Sequence, residues 1–150
     1  MSVRILFLCT GNRARSQMAE GLARSLVAPD VEVASAGTKP NPKGVHPLAV
    51  ELLRERGIEA TPFRPKHIDE LKGEFDYVIT LCDSAAQECP QLPARRARLH
   101  WSLPDPDLAV GDPVRERAIF RELFVDLERR LREWLTEENL LRAEAREAAR

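Results

Sequence analysis

Eight consecutive residues, Cys9-Thr-Gly-Asn-Arg-Ala-Arg-Ser16, combine a nucleophile with the groups needed to hold a tetrahedral oxyanion beside it. A free thiol, with a pKa of about 8.5, is a poor nucleophile near neutrality. It becomes reactive where positive charge or oriented N–H groups stabilise the thiolate. This segment can supply both. Gly11 and Asn12 tolerate positive φ, so Thr10, Gly11, Asn12, Arg13 and Ala14 can curl until their N–H groups face inward as an anion nest. A helix beginning near Ser16 adds the partial positive charge of its N-terminus. Arg15 offers a planar fork for two oxygens at once. Ser16 is placed to hydrogen-bond the Cys9 sulfur.

Cys-x5-Arg alone is a common accident in an arginine-rich chain, and this chain contains a second copy, Cys89 to Arg95. That copy includes Pro90 and Pro93, lacks glycine, and has neither a clear strand before it nor a helix after it. It cannot form an N–H nest. The first copy has every contextual element.

Those elements are legible as hydrophobic periodicity. Val3–Leu8 is an apolar run without alternation, as a strand buried on both faces should be. Met18, Ala19, Leu22, Ala23 and Leu26 mark one face of a helix that stops before Pro29-Asp30. Val31–Ser35 alternates like a strand, and a Gly/Pro/Asn-rich connection (Gly37–Gly44) leads to a second helix from Pro47, with Gly57 as its stop. Ile68–Leu71 suits a short helix, Tyr77–Leu81 a strand, and Arg98–Trp101 a last strand before the stiff Leu103-Pro-Asp-Pro-Asp loop. From Val114 a long helical pattern runs to Leu135, and Thr136-Glu-Glu is suited to cap a fresh helix. This alternation predicts an α/β fold: a single-domain, four-stranded parallel sheet with helices on both faces. The expected division is residues 1–136 as the domain and 137–150 as a charged helical C-terminal extension. Ligands bind such sheets beyond the carboxyl ends of the strands. Cys9, Cys82 and the loop after Trp101 all fall there.

Composition excludes other classes. Over 150 residues, 23 basic and 24 acidic side chains give a net charge of −1, which offers nothing to nucleic acid or an anionic membrane. No apolar run reaches the roughly 20 residues of a membrane helix, and Ile5–Cys9 is too short for a secretory core. The chain reads as cytoplasmic and is expected to be a monomer. Three cysteines without Cys-x-x-Cys spacing, and three scattered histidines, suit neither a disulfide framework nor zinc. His46, His67 and His100 read as surface or supporting residues, and Trp101 and Trp134 as packing residues. No metal and no cofactor is expected. Cys82 alone reads equally as a core residue at a strand end, Cys89 as incidental, and Asp105 in Pro-Asp-Pro as a rigid turn.

Cys9-Thr-Gly-Asn-Arg-Ala-Arg-Ser-Gln-Met-Ala-Glu20 resembles the phosphate loop of the low-molecular-weight protein tyrosine phosphatase fold, and within it the thioredoxin-coupled arsenate reductases. Ser35-Ala-Gly, Val78-Ile-Thr-Leu-Cys82, Cys89-Pro and Trp101-Ser-Leu-Pro-Asp105-Pro106 extend the resemblance from about residue 3 to 135. It implies reduction of arsenate, with phosphate or sulfate as mimics, and thioredoxin as the reductant. Cys9 would attack arsenic, Cys82 would attack the Cys9 sulfur, Cys89 would resolve that disulfide, and Asp105 would protonate the departing oxygen. Two electrons are required, and one disulfide supplies two. Seven residues span about 10.5 Å of helix, too far for a disulfide, so Asp83–Glu88 is expected to change conformation with redox state. Asn12, Glu20 and Ser35 match a potassium site found in some relatives, but its acidic partner aligns with about Lys66, whose ammonium would replace the ion. Tyrosines that clamp aromatic substrates in phosphatases of this fold are absent here, where Asp107 and Leu108 follow. Hydrolysis of phosphomonoesters through a Cys9 phosphoenzyme is the alternative reading, and a non-enzymatic oxyanion-binding redox sensor is a third.

Overall fold

The computed structural model describes residues 2–82, 92–104, 106 and 111–148. Its elements are β1 (Arg4–Cys9), α1 (Arg15–Leu26), β2 (Glu32–Gly37), α2 (Pro47–Glu55), a 3-10 turn (Ile68–Glu70), β3 (Tyr77–Thr80), β4 (Ala97–His100), α3 (Pro113–Glu137) and α4 (Ala143–Ala148). The four strands lie in the order β2-β1-β3-β4, and every pairing is parallel. The sequence-derived boundaries differ from these by one or two residues, within the fraying expected at element ends.

The central position of β1 explains its unbroken apolar run. Ile5, Phe7 and Cys9 face one core, with α1, α2 and α3. Leu6 and Leu8 face a second, smaller core with Ala36, Phe75 and Val78, covered among the described residues by Ile68, Leu71, Leu92 and Ala94. A strand buried on both faces cannot alternate. In register, Cys9 sits beside Gly37 of β2, so the Cys9 thiol and the end of β2 emerge together.

Local signals set the helices. Pro47 occupies the first turn of α2, and His46 caps it by accepting from the Leu48 N–H at 3.1 Å. Gly57 follows at φ +76°, where an L side chain is disfavoured. α1 crosses α2 closely at Gly21, where a Cβ would lie 2.6 Å from the Leu53 Cδ2.

The expected fresh helix at Thr136 is corrected. α3 runs through that residue to Glu137, and the Thr136 hydroxyl donates back to the Arg132 carbonyl instead of capping. The reversal comes at Asn139, at φ +57°. Beyond it Leu140, Leu141 and Ala145 are buried in the main core, with Ala28 N–H donating to Leu140 O and Arg142 N–H to Leu26 O, both at 2.9 Å.

Candidate active site

The residues between β1 and α1 form a loop whose carbonyls are each claimed from outside. Lys39 N–H donates to Thr10 O at 2.9 Å, Asn41 N–H to Gly11 O at 3.0 Å, and His46 N–H to Arg13 O at 3.0 Å. The Gln17 amide donates to Asn12 O at 3.0 Å, and Met18 N–H to Ala14 O at 2.9 Å. In a planar trans peptide the carbonyl and the following N–H point in opposite directions. Turning the carbonyls of residues 10–13 outward therefore turns the N–H groups of Gly11, Asn12, Arg13 and Ala14 inward. The Asn12 N–H confirms the orientation: it points at the Cys9 sulfur, 3.2 Å away.

One of the two residues expected to permit this curl does so. Asn12 adopts φ +50°, whereas Gly11 is not in the left-handed region and has room for a Cβ, whose nearest neighbour would be 3.8 Å away. The glycine that the loop requires is Gly37. A Cβ there would lie 2.4 Å from Thr10 O and 2.9 Å from Cys9 O. Its neighbour on the strand, Ser35, holds the loop through its side chain.

Asn12 is the centre of the polar network. Its Nδ2 donates to Ser16 Oγ at 2.7 Å and Ser35 Oγ at 3.0 Å, and its Oδ1 accepts from Lys66 N–H at 3.0 Å. Ser16 Oγ lies 2.8 Å from Cys9 Sγ; because it accepts from Asn12, its own proton is available to the sulfur. Ser35 donates onward to Glu20 at 2.6 Å. Glu20 also meets Arg24 at 3.0 Å and Lys66 Nζ at 3.7 Å. Burial pushes the Lys66 ammonium below the ordinary 10.5, while Glu20 pulls the other way. Its ammonium thus stands beside Glu20, where the family resemblance placed an ion in some relatives.

α1 begins at Arg15, one residue before the expected start, and its N-cap Ala14 makes no side-chain cap. The open N-terminus therefore faces the nest. Arg15 is 8% exposed, and its Nη1 donates to Leu81 O at 3.3 Å and Leu103 O at 3.2 Å. It thereby ties the loop to the residue before Cys82 and to the start of the proline-rich loop. Arg13 turns outward to Gly44 O at 2.9 Å. The Cys82 sulfur lies at the loop, 3.9 Å from Thr10 Oγ1.

Cys9, Thr10, Asn12, Arg15, Ser16 and Cys82 are therefore brought to the carboxyl edge of the sheet. Cys89, Asp105 and the segment Asp83–Glu88 lie outside the described residues. The histidines support the fold: His46 is buried against Phe120 with Nε2 3.2 Å from Glu116, His67 caps the 3-10 turn, and His100 contacts Thr80. Trp101 and Trp134 pack edge to face at 5.9 Å. Among the described residues no helix is long and apolar enough to cross a membrane, and no three His, Cys, Asp or Glu side chains cluster as metal ligands.

Gln17, Gly37 and the strap Lys39–His46 were missed as site-forming residues. The strap acts through backbone N–H groups, which leave no trace in side-chain identity, whereas Gln17 acts through its side-chain amide and Gly37 through the absence of a Cβ. The signal that was available is a polar residue, Gln17, inside a helix otherwise spaced for burial.

Fold and loop together define a class. The model of the low molecular weight phosphotyrosine protein phosphatase family matches residues 4–146, and the chain belongs to that family. Within it, the chain is 40% identical over 129 residues to an arsenate reductase of Halalkalibacterium halodurans, covering 85% of this chain and 91% of that one. It is 38% identical over 131 residues to that of Bacillus subtilis, covering 87% and 93%. Among solved structures, an arsenate reductase in the phosphate binding state superposes with a TM-score of 0.73 at 28% identity, over 90% of this chain and 98% of that one. A thioredoxin-dependent arsenate reductase of Corynebacterium glutamicum gives 0.67 at 30% identity, over 91% of this chain and 61% of the other.

Proposed function

We propose that this protein reduces arsenate to arsenite, with Cys9 as nucleophile, Cys82 and Cys89 as the relay thiols and thioredoxin as the terminal reductant. The observation that carries the reading is the placement of two sulfurs at one anion nest. Cys9 Sγ is held by Ser16 and the Asn12 N–H, and Cys82 Sγ stands beside Thr10 of the same loop. The relatives named arsenate reductase support the substrate, and the Corynebacterium glutamicum neighbour supports the reductant.

The inward N–H groups and Arg15 neutralise the oxyanion, and the Cys9 thiolate attacks arsenic. One arsenate oxygen leaves as water, taking a proton from Asp105. The Cys82 thiolate then attacks Cys9 Sγ. The S–As bonding pair stays on arsenic, which falls from As(V) to As(III) and departs as arsenite, leaving a Cys9–Cys82 disulfide. Cys89 displaces Cys9 from the Cys82 sulfur, and the dithiol of thioredoxin returns two electrons to the Cys82–Cys89 disulfide.

Phosphomonoester hydrolysis is the second reading, favoured by the family to which the chain belongs. It needs Cys9 but neither Cys82 nor Cys89. Tyr77, the one tyrosine of the chain, is 3% exposed with its hydroxyl 2.5 Å from Glu138, so it does not clamp an aromatic substrate at the loop.

Arsenite formation with thioredoxin, and aryl phosphate hydrolysis, test the assignment. Cys9→Ser is expected to lose both activities, Cys82→Ser only reduction, and Cys89→Ser steady-state reduction. Asp105→Asn is expected to slow both. Normal arsenate turnover by Cys82→Ser overturns the relay.

A further inference from the structure

Gln17 is fully buried, and its side-chain nitrogen faces three oxygens. It donates to Asn12 O at 3.0 Å, Asn12 Oδ1 at 3.1 Å and Arg64 O at 3.0 Å. Its own oxygen, Oε1, is the one buried side-chain polar atom among the described residues with no hydrogen-bond partner. An unpaired buried carbonyl is destabilising, so the bonds made at the other end of the side chain must offset that cost. Here that other end grips Asn12 at both its peptide and its side chain.

Asn12 is the residue of the loop at positive φ, +50°, a conformation that costs an L residue free energy unless its surroundings impose it. Its peptide carbonyl must face out for the next N–H, that of Arg13, to face in. The carbonyls of Thr10, Gly11 and Arg13 are turned out by backbone donors from the 39–46 strap, but that of Asn12 is turned out by Gln17. The Asn12 side chain also carries the bond to Ser16 that leaves the serine proton free for Cys9.

From this we infer that Gln17 is a positioning residue for oxyanion capture: its amide holds Asn12 in the left-handed turn and keeps the Arg13 N–H aimed into the nest before the anion arrives. The inference rests on the oxyanion-site reading of the Cys9 loop. Without the Gln17 donors, the anion itself must reorganise the Asn12–Arg13 peptide on binding. That cost falls on affinity rather than on the chemical step that follows.

Two variants of similar size test it, with sulfate as the probe because it stays dianionic across the pH range used. Gln17→Met removes the donors, and Gln17→Glu places an oxygen where the nitrogen meets three others. Expected for Gln17→Met is about a tenfold weaker sulfate affinity by calorimetry and a similar rise in KM for arsenate, with kcat changed less than about threefold. Gln17→Glu is expected to bind sulfate progressively better, relative to wild type, as pH falls from 8 to 5, because protonation restores one donor. A purely structural role would lower Tm in both variants while leaving sulfate affinity, KM and the pH trend at wild-type values, and that result overturns the inference. Wild-type protein that binds neither sulfate nor arsenate overturns the oxyanion-site reading itself and the inference with it.

Discussion

The oxyanion loop and the seam between α2 and α3 are both built from polar contacts, yet they do different work. The seam is a ladder of exposed ion pairs: Glu51 with Arg117 at 2.6 Å, Glu55 with Arg121 at 3.0 Å and Arg56 with Glu128 at 3.0 Å. Each partner keeps much of its hydration, so each pair contributes little. The loop is buried, and its groups are held by several partners at once. Asn12 is wholly buried, with its peptide and its side chain both held. Water cannot substitute for a lost bond there, so removing one partner leaves the other unpaired. Similar hydrogen bonds thus stabilise the fold marginally in one place and fix the conformation of the Cys9 loop in the other.

The largest break in this contrast is expected from Gly37→Ala. The added Cβ would meet backbone oxygens of Thr10 and Cys9, which have no flexible end to yield. Loss of oxyanion binding together with a drop in stability of about 2 kcal/mol or more is expected by calorimetry and denaturant unfolding. Unchanged sulfate affinity in a folded Gly37→Ala protein contradicts the close fit of β2 beneath the loop.

Next is Ser16→Ala, which removes the hydroxyl 2.8 Å from Cys9 Sγ. Alkylation of Cys9 by iodoacetamide near neutral pH, and arsenate turnover, should both slow by about tenfold or more, because a charge-assisted hydrogen bond to the thiolate is lost. Equal alkylation rates in the two proteins exclude Ser16 from thiolate stabilisation.

A smaller effect is expected at Lys66, where the loop network meets solvent. Its ammonium is depressed by burial, so between the folded-state value and 10.5 the unfolded chain binds more protons than the folded one. Stability from this group is therefore least at neutral pH and rises as pH climbs through that window. In Lys66→Met this alkaline rise should flatten, measured as unfolding free energy against pH up to about 10. An identical slope in both proteins removes Lys66 from the account.

The smallest change is expected at the seam. Arg117→Ala should cost roughly 0.2–1 kcal/mol and leave oxyanion affinity untouched. A larger loss, or one that weakens sulfate binding, would erase the distinction between the two regions.

Much of this organisation was legible from residue order. The β1 run, the apolar face of α1, Pro47 and Gly57 around α2, and the Cys9–Ser16 loop are local patterns, and periodicity reports them directly. So is the resemblance that points to Cys82. Gly11, which tolerates a positive φ, does not adopt one, and Thr136, which is suited to cap a helix, lies inside α3, for one shared reason. A residue's tolerance of a conformation does not reveal whether its neighbours demand it. Asn12 supplied the left-handed turn because its side chain had buried partners, and α3 continued because Leu131, Trp134 and Leu135 had a core to enter.

By itself, the sequence determined the strand–loop–helix frame, the thiol at its centre and the charge that an anion would meet, because these depend on side-chain type and short spacing. Only the tertiary structure decided which way each peptide of the loop faces. Those orientations come from Lys39, Asn41 and His46 N–H groups, the Gln17 amide and the absent Cβ of Gly37. Backbone donors are common to every residue but proline, so no sequence pattern announces them until the chain has folded them against Cys9.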